Sequence, residues 1–373
     1  MVINSNLPAK LGFSLIPEWY RHSATQLHWP TNRETWPGTR LERVEEVFLD
    51  VIEILHRYEP IHLFVDDKRT KDRILKLFES RSIDLEPVSL NNQHSMFNFK
   101  PITFHLQPTN DVWARDCGPV FVQSNQDGNK KFAIIDWEYN AWGGKYPPFE
   151  ADNKLPKYVA DTYNIQRFEP EMILEGGAVE TNGDGVLLTT ESVLLNANRN
   201  PHLSKEVVEQ RLRDYLGIKK IIWLKKGLAG DDTDGHIDEL ARFLNSNTIL
   251  TVVCEDSEDV NYDALQENLE ILQKATDLQN NAFTIETLPM PKTKIEEPTV
   301  DGSTHVPASY ANFYIANGVV LVPQYDPRFD ELALNLFEKY FPDRDIHGIP
   351  CADLVWGQGS IHCITQPWYG IES

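Results

Sequence analysis

Apolar side chains recur with the i, i+3, i+4 spacing of one helix face over residues 43–58, 68–80, 205–216, 262–276 and 331–340. That period predicts five amphipathic helices, each with one stripe to bury. Between them, short apolar runs pair up around Asn/Gly/Asp turns: 119–122 with 132–137 about 125–128, 178–180 with 186–190 about 182–185, 240–244 with 248–253 about 245–247, and 312–315 with 319–323 about 317–318. Such pairs predict β-hairpins. Ser204 is placed to cap the third helix and Gly217 to end it, and a strand over 218–224 follows. The recurring unit is strand, turn, strand, helix, strand, which predicts a mixed α/β array of similar modules rather than a doubly wound sheet. A last strand-like run, 354–368, supplies part of a further unit. The loosest stretch is 281–307, with four prolines and a possible strand at 283–288, and it reads as a long surface excursion. No low-complexity linker divides the chain, so residues 1–373 are expected to form one domain.

Composition narrows the class. A 41% apolar content, nine tryptophans and a mean hydropathy of −0.40 fit a soluble globular protein. No run approaches the roughly 18 apolar residues a membrane helix needs. Residues 1–10 lack a charged start followed by an apolar run, so a cytoplasmic location is expected. The four cysteines (Cys117, Cys254, Cys351, Cys363) are far apart and without Cys/His metal spacing, which argues against a disulfide framework or a zinc site. A net charge of −21 disfavours nucleic acid and anionic membrane as partners, and would draw in a cationic small molecule.

Three of the four predicted hairpins open just after an unusual polar residue. Asp116 precedes the first, Glu175 the second, and His236 and Asp238 the third; Cys363 follows a glycine-flanked bend, Gly357-Gln358-Gly359-Ser360, near the C-terminus. If the modules surround a common axis, thiol, imidazole and carboxylates meet in one cleft. That set suits a planar cation: carboxylates grip a guanidinium bidentately, a thiolate attacks its central carbon, and histidine relays protons. An ordinary thiol protease fits worse, because carboxylates around the sulfur raise its pKa unless a cation offsets them. Each residue also has a plainer reading. Asp116 beside Arg115 can be a structural ion pair, Glu175 can simply end a strand, and a lone cysteine is usually a small buried hydrophobe. His236-Ile237-Asp238 alternates as a strand does, which would place His236 and Asp238 on one face as a buried pair. The acidic run Asp231 to Gly235 fails as a calcium loop, since Gly230 and Ala241 stand at its first and twelfth positions.

Taken together, Trp113-Ala114-Arg115-Asp116-Cys117-Gly118-Pro119, Leu174-Glu175-Gly176-Gly177, Leu195-Asn196-Ala197-Asn198-Arg199-Asn200-Pro201, Gly235-His236-Ile237-Asp238 and Ile361-His362-Cys363-Ile364-Thr365-Gln366 resemble the agmatine deiminases, with the likeness running from about Trp29 to Gln366. The resemblance implies a five-bladed, pseudo-symmetric α/β propeller of the pentein group. It implies Cys363 as nucleophile, His236 as general acid/base and Glu175 as the group orienting His236. Asp116 and Asp238 would hold the guanidinium, Asp232 would meet the distal amine, and Trp113 would lie along the aliphatic linker. The expected reaction is hydrolysis of agmatine to N-carbamoylputrescine and ammonia through a thiouronium on Cys363, with no metal or organic cofactor. Gln358, Ser360, Cys117 and Pro367-Trp368 depart from the usual motif residues. Deimination of arginine, methylarginine or peptidyl-arginine stays open as an alternative, as does a non-catalytic polyamine-binding module. The expected partner is a small cationic guanidine, and a homo-oligomer is compatible with the chain.

Overall fold

The computed structural model describes residues 7–83, 99–125, 128–291, 298–299 and 302–371. The predicted turn at 125–128 and the excursion at 281–307 lie partly outside these residues.

Five sheets repeat one plan: an antiparallel pair followed by a parallel third strand. Val120–Ser124 pairs antiparallel with Lys131–Ile135, which runs parallel to Gln166–Phe168; Phe13–Leu15 adds a fourth strand at the free edge. Glu180–Thr181, Val186–Thr190 and Lys220–Leu224 follow the same order, as do Ala241–Asn245, Thr248–Val253 and Thr284–Pro289, and again Tyr314–Ala316, Val319–Gln324 and Asp345–Pro350. The fifth sheet joins the two ends of the chain. Gln366–Trp368 pairs antiparallel with Ala24–His28, and Ile61–Val65 and Ile102–Leu106 extend it in parallel. The C-terminal module that looks incomplete in the sequence is thus completed by the N-terminal strands.

Crossovers between parallel strands need a covering helix. The five predicted helices supply them in four of the sheets as Arg40–Leu55, Lys68–Arg81, Lys205–Leu216, Tyr262–Lys274 and Pro327–Tyr340, the first two both in the sheet that joins the chain ends. Each buries its apolar stripe on its own sheet: Val44, Phe48 and Ile52 with Leu63, Leu212 and Leu216 with Leu187, Leu265 and Leu272 with Ile249, Ala333 and Phe337 with Val320. At roughly 1.5 to 3 kcal/mol per large apolar side chain, these clusters dominate the stability. Gly217 ends its helix at φ 65° as expected, but the Ser204 side chain makes no capping bond. A sixth helix, Leu155–Tyr163, escapes the periodicity because its nine residues bury only Leu155, Pro156, Val159 and Ala160.

Two predicted strands are not strands. Of 354–368 only Gln366–Trp368 is extended; Val355–Gly357 is a 3-10 turn and Ile361–Ile364 a single helical turn. His236-Ile237-Asp238 leads into a 3-10 turn, Ile237–Glu239. The reason is local. The His236 N–H donates to Asp231 Oδ2 and Thr233 Oγ1 at 3.2 and 3.1 Å, so it is not offered to a neighbouring strand. Among the described residues no helix is long and apolar enough to cross a membrane.

Candidate active site

Four of the five antiparallel pairs are preceded by a short helical turn: Ala114–Cys117, Gly176–Ala178, Ile237–Glu239 and Ile361–Ile364. These turns carry or adjoin Asp116, Glu175, His236 with Asp238, and Cys363. The structure brings all of them together.

His236 is fully buried, with Nδ1 3.6 Å from Asp116 Oδ1 and 4.0 Å from Asp238 Oδ1, and Nε2 3.8 Å from Glu175 Oε2. Among the described residues neither ring nitrogen has a hydrogen-bond partner, nor do Glu175 Oε2 and Asp238 Oδ1. Burial pulls the imidazole pKa down, but Asp116, Glu175 and Asp238 outweigh it and hold it at about 9. Burial pushes Asp116 up to about 6 against the pull of that imidazolium. Gly177 is what lets these groups meet, since a Cβ there would lie 2.7 Å from both Asp116 Oδ1 and His236 Nδ1.

Cys363 Sγ lies 3.7 Å from Asp238 Oδ2, 3.6 Å from Glu239 Oε1 and 3.1 Å from the Asn312 side-chain nitrogen. Burial raises the thiol well above its usual pKa, and Asp238 and Glu239 push it further. Gly359 keeps the bend tight, because a Cβ there would meet the Trp113 ring at 2.4 Å and Cys363 Cβ at 3.1 Å. A cavity of about 440 Å³ reaches this sulfur, within the usual size range of small-molecule sites. Asp116, Cys363, Trp113, Trp142 and Asp232 line it, so both distal residues picked from the sequence share the cavity of the nucleophile candidate. Asp232 Oδ2 accepts from the Tyr146 hydroxyl at 2.6 Å, and its carbonyl accepts from Lys145 Nζ, which also pairs with Asp234 at 2.8 Å.

Several residues escape the sequence reading. Arg199 donates from Nε to Glu175 Oε1 at 2.6 Å and from Nη1 to Asp234 Oδ2 at 2.6 Å, and its charge outweighs burial to hold Glu175 below its usual pKa. Trp142 Nε1 donates to Asp116 Oδ2 at 3.0 Å. Asn312 stands just ahead of Tyr314–Ala316, the one antiparallel pair for which no polar residue had been singled out; module symmetry is the signal that could have found it. Glu18 is the least legible. It accepts from Arg115 Nη2 (2.7 Å), Arg242 Nη2 (2.9 Å) and the Ile315 N–H (2.9 Å), and lies 2.8 Å from His362 Nε2, so it binds parts of four modules from far away in sequence. Of the departures, Gln358 lines the cavity at φ 77° with its amide on Thr299 Oγ1 at 3.0 Å, and Cys117 is a buried thiol on the Trp113 carbonyl at 3.3 Å.

A buried thiol, an imidazole and three carboxylates thus stand together at the heads of repeated α/β modules, on a fold shared with known proteins. The family model for the Porphyromonas-type peptidyl-arginine deiminase matches residues 14–368, and this chain belongs to that family. A Legionella pneumophila (strain Paris) protein, named provisionally as an agmatine deiminase, is 36% identical over 360 residues, 96% of each chain. The solved agmatine deiminase of Enterococcus faecalis is 30% identical with a TM-score of 0.84, covering 98% of each chain. That of C. jejuni, solved with substrate bound, is 30% identical with a TM-score of 0.81, covering 96% of each.

Proposed function

We propose that this protein hydrolyses agmatine to N-carbamoylputrescine and ammonia within a single catalytic domain whose five sheets are blades around one axis. Glu18 supports the axial arrangement, since one buried carboxylate bonds groups from four of the modules. The observation that carries the chemistry is the pair of buried acceptors without a partner among the described residues, Asp238 Oδ1 and Glu175 Oε2, beside His236, with the other oxygen of Asp238 3.7 Å from Cys363 Sγ. A guanidinium would satisfy Asp238 Oδ1 with a charge-assisted bond, while Glu175 Oε2 faces the imidazole.

In this reading Asp116 and Asp238 grip the guanidinium, and its positive charge offsets the carboxylates that raise the Cys363 thiol. With the cation bound the thiol gives its proton to solvent water, and the thiolate attacks the central carbon, whose C=N electron pair moves onto nitrogen. In the tetrahedral adduct His236, protonated at neutral pH, gives its proton to the departing nitrogen, and the C–N bond breaks to release ammonia. Water, deprotonated by the now neutral His236, attacks the S-linked thiouronium carbon; the C–S bond breaks and the ureido product leaves. Arg199 holds Glu175 so that its second oxygen faces the imidazole. Asp232 and Tyr146 meet the distal amine, and Trp113 lies along the linker. Only this chain's own groups act, and all four cysteines are free thiols, as a reducing cytoplasm would keep them.

A second reading has one observation in its favour. Lys145 lines the same cavity and could meet the α-carboxylate of free arginine. Ammonia release measured in parallel on agmatine, arginine and a peptidyl-arginine separates the readings. Turnover confined to agmatine supports the proposal, preference for arginine overturns its substrate, and binding without ammonia release would make the protein a polyamine-binding module.

A further inference from the structure

We propose that His362 is a positioning residue for this reaction: its Nδ1 holds Asp238 by one oxygen and leaves the other bare for the substrate cation, while its Nε2 ties that arrangement to Glu18. The inference rests on the deiminase reading above but concerns a residue to which that mechanism gives no part.

The geometry is two-sided. His362 Nδ1 lies 2.7 Å from Asp238 Oδ2 and Nε2 lies 2.8 Å from Glu18 Oε2, with all three side chains buried. Glu18 is held well below its usual pKa because Arg242, His362 and Arg115 together outweigh its burial. Asp238 is likewise lowered despite burial, chiefly by its His362 bond and charge. A carboxylate oxygen thus faces each ring nitrogen, the arrangement of a ring that donates at both, which the nitrogen spectra below test. The backbone fixes the ring in turn: the His362 N–H donates to Asn312 Oδ1 at 2.9 Å and its carbonyl accepts from Arg115 Nε at 3.4 Å. The consequence is a division of labour on Asp238. Oδ2 is taken by His362, whereas Oδ1 is buried, without a hydrogen-bond partner among the described residues, and 4.0 Å from His236 Nδ1. A free aspartate could rotate and offer either oxygen; this one cannot.

The charges facing Asp238 come from every packed element. Besides His362 and Cys363 on the helical turn, they are His236 and Glu239 on its own segment, Asp231 before it, Asp116 from Ala114–Cys117 and Arg242 from Ala241–Asn245. The two cations nearest to hand besides His362 are thus shared, His236 with Asp116 and Glu175, and Arg242 with Glu18 and Glu180. Losing His362 should therefore raise the pKa of Asp238.

Two isosteres dissect the pair. Asn at this position places its amide nitrogen near Nδ1 and keeps the Asp238 bond; Gln reaches to Nε2 and keeps the Glu18 bond. In His362→Gln the acid limb of kcat/KM on agmatine should move up by about one pH unit or more and KM should rise at least tenfold, with a clearly smaller KM change in His362→Asn. Nitrogen-15 spectra of histidine-labelled parent enzyme without substrate should show His362 with both ring nitrogens protonated, its signals assigned by their absence in the Asn variant. Variants that lose only melting temperature, with KM and pH profile unmoved, would overturn the proposal, and so would a His362 ring with one bare nitrogen. A parent that releases no ammonia from agmatine sinks the deiminase reading by itself, and the nitrogen spectra then still decide whether His362 holds Asp238 as a doubly protonated ring. If neither variant folds, the same spectra of the parent, assigned through proximity to Cys363, decide it.

Discussion

The two ends of the cavity are built differently. At the Cys363 end every functional carboxylate is fixed by buried neighbours: Glu175 by Arg199 and Asp238 by His362, each through one oxygen, and Asp116 through both, by Trp142 and by the Gly177 N–H at 3.1 Å. At the far end Asp232 is half-buried, bonded to a tyrosine and bordered by a half-exposed lysine. Fixed charges in a dry site cost no reorganisation as a reaction proceeds, whereas half-solvated ones are screened. On the proposed function, the difference assigns the reaction chemistry to the buried end and the choice of cation to the mouth.

The largest expected effect is at the sulfur. Cys363→Ala should remove turnover by at least about a thousandfold with an unchanged melting temperature, and mass spectrometry of parent enzyme quenched during turnover should find the adduct on the peptide holding Cys363. Substantial residual activity would place the nucleophile elsewhere. Asp116→Asn and Asp238→Asn should each lower kcat/KM by about 100- to 1,000-fold, since each loses a charge-assisted grip in a water-poor site. A near-parental rate in either variant would remove that residue from contact with the guanidinium.

Arg199→Met sharpens the comparison from the support side. It leaves the Glu175 carboxylate buried without its cation, so stability should fall by about 3 kcal/mol or more in chemical denaturation, and kcat should fall with it. An unchanged unfolding midpoint would show that Glu175 is held by something else. The pH profile tests the same end without mutation. Asp116, raised to about 6, must be ionised to bind a cation, and His236, raised to about 9, must be protonated to serve as acid. Activity, as kcat/KM, should therefore fall as pH drops through about 6 and again as it climbs through about 9. A flat profile between pH 5 and 10 would contradict both assignments.

The mouth should give smaller numbers. Asp232→Asn should weaken kcat/KM for agmatine by about tenfold, the scale of one partly solvated charge pair, and hardly alter a simple alkylguanidine. Equal losses on the two substrates would move Asp232 from amine recognition to support of the centre. Tyr146→Phe removes one hydrogen bond to Asp232 and should cost about two- to fivefold on agmatine alone; a loss as large as that of Asp232→Asn would show that the tyrosine itself meets the amine.

Local rules carried much of this protein. Five helices and four hairpins follow from periods of 3.6 and 2 and from turn residues, because those signals depend only on neighbours a few positions apart. The candidate residues were legible for the same reason: Asp116, Glu175, His236, Asp238 and Cys363 each stand at a repeated place in a repeated module. Tertiary structure decided what spacing cannot encode. Only the folded chain joins Ala24–His28 to Gln366–Trp368 and so completes the last sheet. It also turned two strand-like runs into helical turns, and at His236 the cause is visible: side chains of Asp231 and Thr233 captured an N–H that a strand would have offered its neighbour. Above all it placed Glu18 against His362 and Arg242, 344 and 224 residues away. Partners at such separations leave no periodic trace, and a buried carboxylate is stable only with the cations that the whole fold delivers to it.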